Sequence, residues 1–541
     1  MNKLLIIILI LGLFLRVVDI NNNPRALYGD ELTLVYDAYS ILKTGSDQKG
    51  NFLPITFEMA GGRPGGYVYA TVPFVAILGP TTLAARAVSI LSGLGIIFLL
   101  FFLGRRLFNQ RVGLISSLLA AISPWSLSLS RGGFESHFAL FLTLLGITTF
   151  IEGLKRKRLL IISGLSFGIG IHTYSTYKLT IPLIVLLLIW FVGRQILNSK
   201  AIKFLLISLS ILGVFGMILI WQIIFNQSER RFLAINAFNQ EQLRQQIIQK
   251  INLERQLDQS GEPFLNFFHN KFIEYSLLIG KSYFQNFSTD FLFLRGDGNP
   301  RHNPAESGQL YFVELVTILF GLLYLVKNVN KKIPKLLIFW ILLSPIPAAL
   351  LLEPHALRNS LMLPPLLLIS AAGLIYMYDK SSRLDIRVLK YILIFGFVIQ
   401  FIFIIDRIYF LSPNKFSRFW SNPAKIASNL ALQEKNNYKY VILSDRIDNI
   451  EFAYPVYAKL SPELVIAQNK QKTQLLNYQF NRFDNVYVGF LPESEIEEFI
   501  NNLDGPTLYI GTPNDKEHIN NFETINDLDN STALTISKIN K

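Results

Sequence analysis

Two adjacent carboxylates, Asp30 and Glu31, stand in Leu27-Tyr28-Gly29-Asp30-Glu31, just past the first apolar run. Paired acids beside an apolar wall suit a general base, because desolvation and like-charge repulsion both raise a carboxylate pKa toward the working range. They suit a plainer task equally: Asp is a good N-cap, and acids favour the first turn of a helix. An amphipathic segment follows (Leu32, Val35, Tyr36, Tyr39, Leu42), then the turn Gly61-Gly62-Arg63-Pro64. Further ionisable groups stand beside helix ends: Arg131 with Glu135, His172 with Tyr174, Tyr177 and Lys178, and Glu353 with His355 and Arg358. In Arg295-Gly296-Asp297-Gly298-Asn299-Pro300-Arg301-His302, glycines and a proline fix a turn, so that Asp297, Arg301 and His302 can face one point. His172 or His302 could orient a substrate or bind a divalent cation. Six scattered His and no Cys give no ligand spacing, so no metal set is assigned. Tyr174 and Tyr177 fit a sugar platform or an interfacial aromatic belt.

A membrane has to position these groups. The chain has 541 residues, 51% hydrophobic and 16% charged, with mean hydropathy +0.36. Its apolar runs reach bilayer length. The first run, Leu4 to Val18, is followed by no small-residue cleavage site and reads as a retained helix. Net charge is +13, yet residues 412–541 hold 13 Lys/Arg against 16 Asp/Glu, so the excess lies in the apolar part. There it clusters in short loops near residues 105–111, 155–158, 194–203, 327–335 and 380–387, which marks those loops as cytoplasmic. These charges flank apolar spans and form no continuous groove, which argues against a nucleic-acid partner. Without Cys there are no disulfides or thiolate sites.

Spans fall at 3–20, 83–107, 112–130, 137–154, 159–177, 178–196, 202–225, 309–327, 333–351, 358–378 and 388–411, about eleven helices of bilayer length. Segment 66–79 is short and broken by Pro73 and Gly79, and reads as an in-plane or re-entrant piece. The expected fold is thus a polytopic α-helical membrane protein, residues 1–411, with outer loops at about 21–82 and 226–308. The polar middle of the second loop, Gln240 to Leu257, has helical spacing. From 412 onward, short strands (Tyr440–Leu443, Val486–Gly489, Thr507–Ile510) alternate with helical segments (Pro423–Gln433, Glu493–Asn502), which predicts a small extracytoplasmic α/β domain over 412–541. Its last ~12 residues, polar and rich in Asn, Ser and Thr, are expected to be a loose tail. This topology puts the N-terminus inside, and the ionisable groups above outside. It favours a site at the outer face of the cell membrane. No internal repeat is visible, which weakens a transporter or flippase for lipid-linked sugars. A non-catalytic scaffold presenting the C-terminal domain would leave Asp30 and Arg131 without a purpose.

An ordered set of motifs adds to this. Asp30-Glu31 follows the first helix. Then come Lys43-Thr44-Gly45-Ser46-Asp47 with Gly50 and Leu53-Pro54, Arg63-Pro64, Ala85-Arg86, and Leu103-Gly104-Arg105-Arg106. Ser123-Pro124-Trp125 with Ser130-Arg131, Gly296-Asp297 to His302, and Pro354-His355-Ala356-Leu357-Arg358 complete it. Over about residues 1–410 the chain resembles the GT-C integral-membrane glycosyltransferases, within them the protein-mannosyltransferase-like family (glycosyltransferase family 39) and its bacterial relatives, the lipid A aminoarabinose transferases. The resemblance implies a polyprenyl-phosphate sugar donor and a lipid, protein or polymer acceptor. It implies Asp30 as the base of a single inverting displacement, with Glu31 as its partner. By position it implies that Arg63 and Arg131 stabilise the departing lipid phosphate; Arg358 is a further phosphate-binding candidate, and His172, Tyr174, Tyr177, Asp297, Arg301, His302 and His355 are substrate-binding candidates. Where the family usually reads Lys-Pro-Pro-Leu, this chain has Arg63-Pro64-Gly65-Gly66, which predicts a looser turn.

Overall fold

The computed structural model describes residues 3–59, 62–193, 201–225, 237–380 and 384–540. Gly61, the basic residues in 194–200 and 381–383, and the start of loop 226–308 lie outside the described residues. The chain opens with α1 (Lys3–Val17), α2 (Gly29–Thr44) and the short antiparallel pair β1 (Thr56–Phe57) and β2 (Arg63–Pro64), followed by α3 (Gly66–Leu78). A helical body follows: α4 (Thr82–Leu107), α5 (Gln110–Ile122), α6 (Pro124–Ser130), α7 (Glu135–Gly153), α8 (Leu159–Ile171), α9 (Tyr177–Val192) and α10 (Ile202–Phe225).

The second long connection carries α11 (Glu241–Leu257), α12 (Glu262–Phe268) and α13 (Lys271–Gln285). The polar stretch with helical spacing is thus helical. The body closes with α14 (Glu314–Lys327), α15 (Lys332–Leu343), α16 (Leu363–Asp379) and α17 (Leu384–Asp406).

This is a multi-pass membrane protein. Among the described residues six helices are long and apolar enough to cross a bilayer: 82–107, 135–153, 202–225, 332–349, 360–379 and 388–415. The pair α5–α6, bent by 56°, makes a seventh if it is one span. The count stands below the eleven expected, because several apolar runs yield short helices. α1, α8, α9 and α14 have 15, 13, 16 and 14 residues, against the ~20 that span a hydrocarbon core. The bend at Ser123-Pro124 has a local cause: Ser123 closes α5 and its hydroxyl accepts from Ser126 N to start α6. Pro73 does not break α3, which runs through it and stops at Gly79 with φ 68°. A proline removes one backbone donor, and an apolar helix with packed neighbours tolerates that loss.

The C-terminal part holds a seven-stranded sheet of order β4-β5-β6-β3-β7-β9-β8. Its strands are β3 (Tyr440–Ser444), β4 (Thr473–Leu475), β5 (Tyr478–Phe483), β6 (Val486–Gly489), β7 (Thr507–Gly511), β8 (Glu523–Asn526) and β9 (Thr532–Ile539). β3 lies parallel between β6 and β7, the pattern expected of strand–helix alternation. The loose tail is a correction. β9 pairs with both β7 and β8, and residues 533–537 are buried. Ala533, Leu534 and Ile536 supply apolar contacts, while Thr535 and Ser537 suit a strand; a polar composition hid a buried one.

The C-terminal part also shares a core with the first connection: Leu32, Val35 and Tyr36 of α2 cluster with Ala427, Ile450, Ala453 and Tyr454. Tyr36 donates to the carbonyl of Leu460 at 3.0 Å, and the hydroxyl of Tyr457 accepts from Leu27 N at 3.2 Å.

Candidate functional site

α2 begins at Gly29 with Tyr28 in the extended N-cap position and no side-chain cap. Asp30 therefore caps nothing. It sits in the first turn, where the helix dipole favours an anion, and its carboxylate, about a third exposed, accepts from Arg63 Nη2 at 3.0 Å. Glu31 points the opposite way and is fully buried. Arg86 grips it with Nε at 2.9 Å and Nη2 at 3.1 Å, and Gly133 N donates at 2.7 Å. Two neighbouring acids thus land in opposite environments, because successive helix positions are 100° apart.

Arg63 is buried and spends its donors on three partners: Asp30, the hydroxyl of Thr33 at 3.0 Å from Nη1, and Glu135, 3.0 Å from Nε. Burial alone would lower its pKa, but Glu135 and Asp30 outweigh burial and hold it above its ordinary value. The turn that presents Arg63 is tight, contrary to the expected loosening. Gly66 N donates to the carbonyl of His172 at 2.8 Å. A Cβ on Gly66 would collide with Thr173 Oγ1 and that carbonyl, and one on Gly65 would meet Ile55 O at 2.8 Å. The glycines let three backbone segments close on one another.

A cavity of about 250 Å³ opens beside these groups. Its walls include Asp30, Arg63, Tyr174, Arg301, His302, His355 and Arg358 from the sequence-derived set, joined by Tyr28, Glu135 and Asn299. Arg301 lies over the Tyr28 ring at 4.9 Å, and its buried Nε has no hydrogen-bond partner among the described residues. Arg358 Nη1 donates to Glu353, itself 60% exposed, at 3.0 Å. Burial, then the charges of Asp30 and Glu135, push Tyr28 well above the usual phenol range.

Asp297 stands behind the histidines. It accepts from His302 Nδ1 at 3.2 Å and from Ala356 N at 2.7 Å, with His355 Nδ1 at 3.8 Å. Burial would raise its pKa, but His302, His355 and the Ala356 amide hold it down to about 2. His355 is pushed down to about 3, mainly by burial, and its Nδ1 accepts from Leu357 N at 3.2 Å, which suits a neutral ring. One ligand atom each from Asp297, His302 and His355 lies within 4.8 Å of the others. The three could hold a divalent cation, a grouping that sequence spacing did not disclose.

The remaining expected site residues do not line this cavity. Arg131 donates to the carbonyls of Leu15, Val18 and Asn23 at 2.8–3.0 Å and stacks on Tyr409 at 4.5 Å, so it caps the end of α1. His172 Nε2 meets Phe215 O at 3.0 Å, and Tyr177 bonds Ser360 at 2.8 Å. Glu135, which the sequence places beside Arg131 at a helix end without a site role, is the second carboxylate on this wall. Tyr28 and Asn299 carried no signal beyond adjacency to chosen residues.

Residues 63–221 match the sequence profile described as dolichyl-phosphate-mannose-protein mannosyltransferase. No curated protein matches the chain. Among solved structures, ArnT from Cupriavidus metallidurans in the apo state superposes with a TM-score of 0.56 at 11% identity, covering 98% of this chain and 97% of that one. ArnT from the same organism bound to undecaprenyl phosphate gives 0.55 at 10% identity, with the same coverage. The chain shares the fold of ArnT.

Proposed function

We propose that the protein is an inverting glycosyltransferase that moves a sugar from a polyprenyl-phosphate carrier to an acceptor hydroxyl, with Asp30 as general base. The observation that carries this reading is the Asp30 carboxylate on the wall of a cavity that also holds two arginines: Arg301, whose buried Nε has no hydrogen-bond partner among the described residues, and Arg358, whose partner Glu353 is largely exposed. The undecaprenyl-phosphate complex of the ArnT fold supports a lipid-phosphate ligand here. The acceptor oxygen attacks the anomeric carbon from the face opposite the phosphate, and its proton passes to Asp30. The bond from the anomeric carbon to the phosphate oxygen breaks, and the lipid phosphate leaves with the electron pair. A guanidinium offers a planar fork to that charge, and donors fixed in advance need no reorganisation as it develops.

Glu31 enters this scheme as the buried partner of Arg86, which anchors the first turn of α2, and Arg131 as the cap of α1. The basic clusters in the short loops orient the protein with its N-terminus in the cytoplasm. Residues 1–411 are the catalytic part, and 412–541 lie outside with the cavity.

Purified protein assayed with a panel of polyprenyl-phosphate sugars tests the reading. Asp30→Asn should cost roughly 10²–10⁴-fold in turnover while folding normally. Asp30→Glu should also be poor, since an added methylene displaces the oxygens and small misplacements are costly. Wild-type turnover in Asp30→Asn would end the claim.

A further inference from the structure

We infer that Arg63 is a positioning residue: it clamps the Asp30 carboxylate against Glu135 and leaves the donor phosphate to Arg301 and Arg358. The inference rests on Asp30 acting as base.

Arg63 already spends a donor from each of its three nitrogens, on Glu135, Thr33 and Asp30, and its side chain is only 4% exposed. A phosphate is best held by two parallel N–H groups on one edge of the fork. Each edge of Arg63 instead carries a carboxylate or a hydroxyl. The guanidinium already faces two carboxylates, Asp30 and Glu135, and a phosphate approaching it would meet both.

The fork geometry explains the orientation of the base. Asp30 and Thr33 are three apart on α2 and so share a face, and Arg63 reaches both from β2. Glu135, at the head of α7, holds Nε. Three separate elements thus fix one carboxylate at the cavity wall. Arg301, whose Nε has no hydrogen-bond partner among the described residues, and Arg358, bonded to the exposed Glu353, line the same cavity and can meet an anion there.

Two measurements on the purified full-length protein decide this. The first needs no donor. Arg63→Gln takes away the cation that Asp30 and Glu135 share and should lower the melting temperature by several degrees. The triple variant Arg63→Gln/Asp30→Asn/Glu135→Gln should recover most of that loss, because both acids that drew on that cation are then neutral. The second uses undecaprenyl phosphate as the binding probe. Its Kd should change less than about twofold in Arg63→Gln or Glu135→Gln, and weaken roughly tenfold or more in Arg301→Gln, where a charge-assisted bond is lost. In turnover, Arg63→Lys should lower kcat with donor KM nearly unchanged, since a single ammonium cannot bridge three partners.

The clamp is overturned if Arg63→Gln is neutral or stabilising in the melt and abolishes undecaprenyl-phosphate binding. It is overturned equally if Glu135→Gln tightens that binding, as it would for a phosphate ligand freed from a competing acid. Failure of the wild-type protein to bind undecaprenyl phosphate would remove the functional reading instead. The melting series then decides the clamp alone: recovery in the triple variant upholds it, and no recovery refutes it.

Discussion

Asp30 and Glu31 are adjacent in the chain and opposite in circumstance. Glu31 is wholly buried on Arg86, while Asp30 opens on the cavity. Substitution should separate them cleanly. Glu31→Gln leaves Arg86 as an uncompensated buried charge, a loss that typically costs about 3–5 kcal/mol, so its melting temperature and folded yield should fall sharply. Asp30→Asn should leave the melt nearly unchanged and remove turnover. Arg131 belongs with Glu31: its donors hold the last carbonyls of α1, so Arg131→Ala should lose folded protein before it loses donor affinity. Comparing activity per folded molecule across the three variants checks the assignment.

Between residue and molecule, the elements around the cavity are held by contacts of different strength. At Gly65-Gly66 an added Cβ would press on the carbonyls of Ile55 and His172, which cannot yield cheaply. Gly66→Ala should destabilise by about 1–3 kcal/mol through overpacking and reduce turnover by shifting Arg63, both readable on one preparation.

The join between α11 and α12 is of another kind. His269 sits between Asp258 at 2.8 Å and Glu254 at 3.1 Å. Its pKa is raised, chiefly by the bond to Asp258, with burial opposing and Glu254 assisting. A histidine raised above its ordinary value of about 6.5 contributes stability that is fully present below that pH and is lost as pH rises through the raised value. Amide exchange over residues 254–270 should therefore speed up as pH passes upward through this range, beyond the intrinsic increase, and His269→Gln should remove the effect.

For the whole molecule, the C-terminal part is a structural partner of the site although it does not line the cavity. Trp420 packs edge-on against Tyr28 at 5.3 Å and lies 5.4 Å from the Arg86 guanidinium, so it backs both the cavity wall and the anchor of Glu31. Trp420→Ala should cost about 3–5 kcal/mol, as large-to-small changes at buried aromatics do. Removal of 412–541 should expose the apolar face of α2 and abolish activity even where the membrane part inserts. Reporters fused after Gly79 and after Ser412 should both read outside, and a cytoplasmic signal at Ser412 would move the C-terminal part across the membrane.

Whatever depends on local composition and period is legible along the chain. Apolar runs made this a membrane protein, alternating short strands and helices made the C-terminal part α/β, and the glycine-rich turn brought Asp297 and His302 together. Tertiary structure alone decided the roles of the charges. An arginine reads the same in a sequence whether it caps carbonyls like Arg131, grips a buried acid like Arg86, or lies over a tyrosine like Arg301. What differs is the set of partners within about 3 Å, and those partners are brought in from distant parts of the chain by packing. The same reason hid β9, whose burial depends on β7 and β8 closing over it, and the meeting of His355 with Asp297 and His302 across the fold.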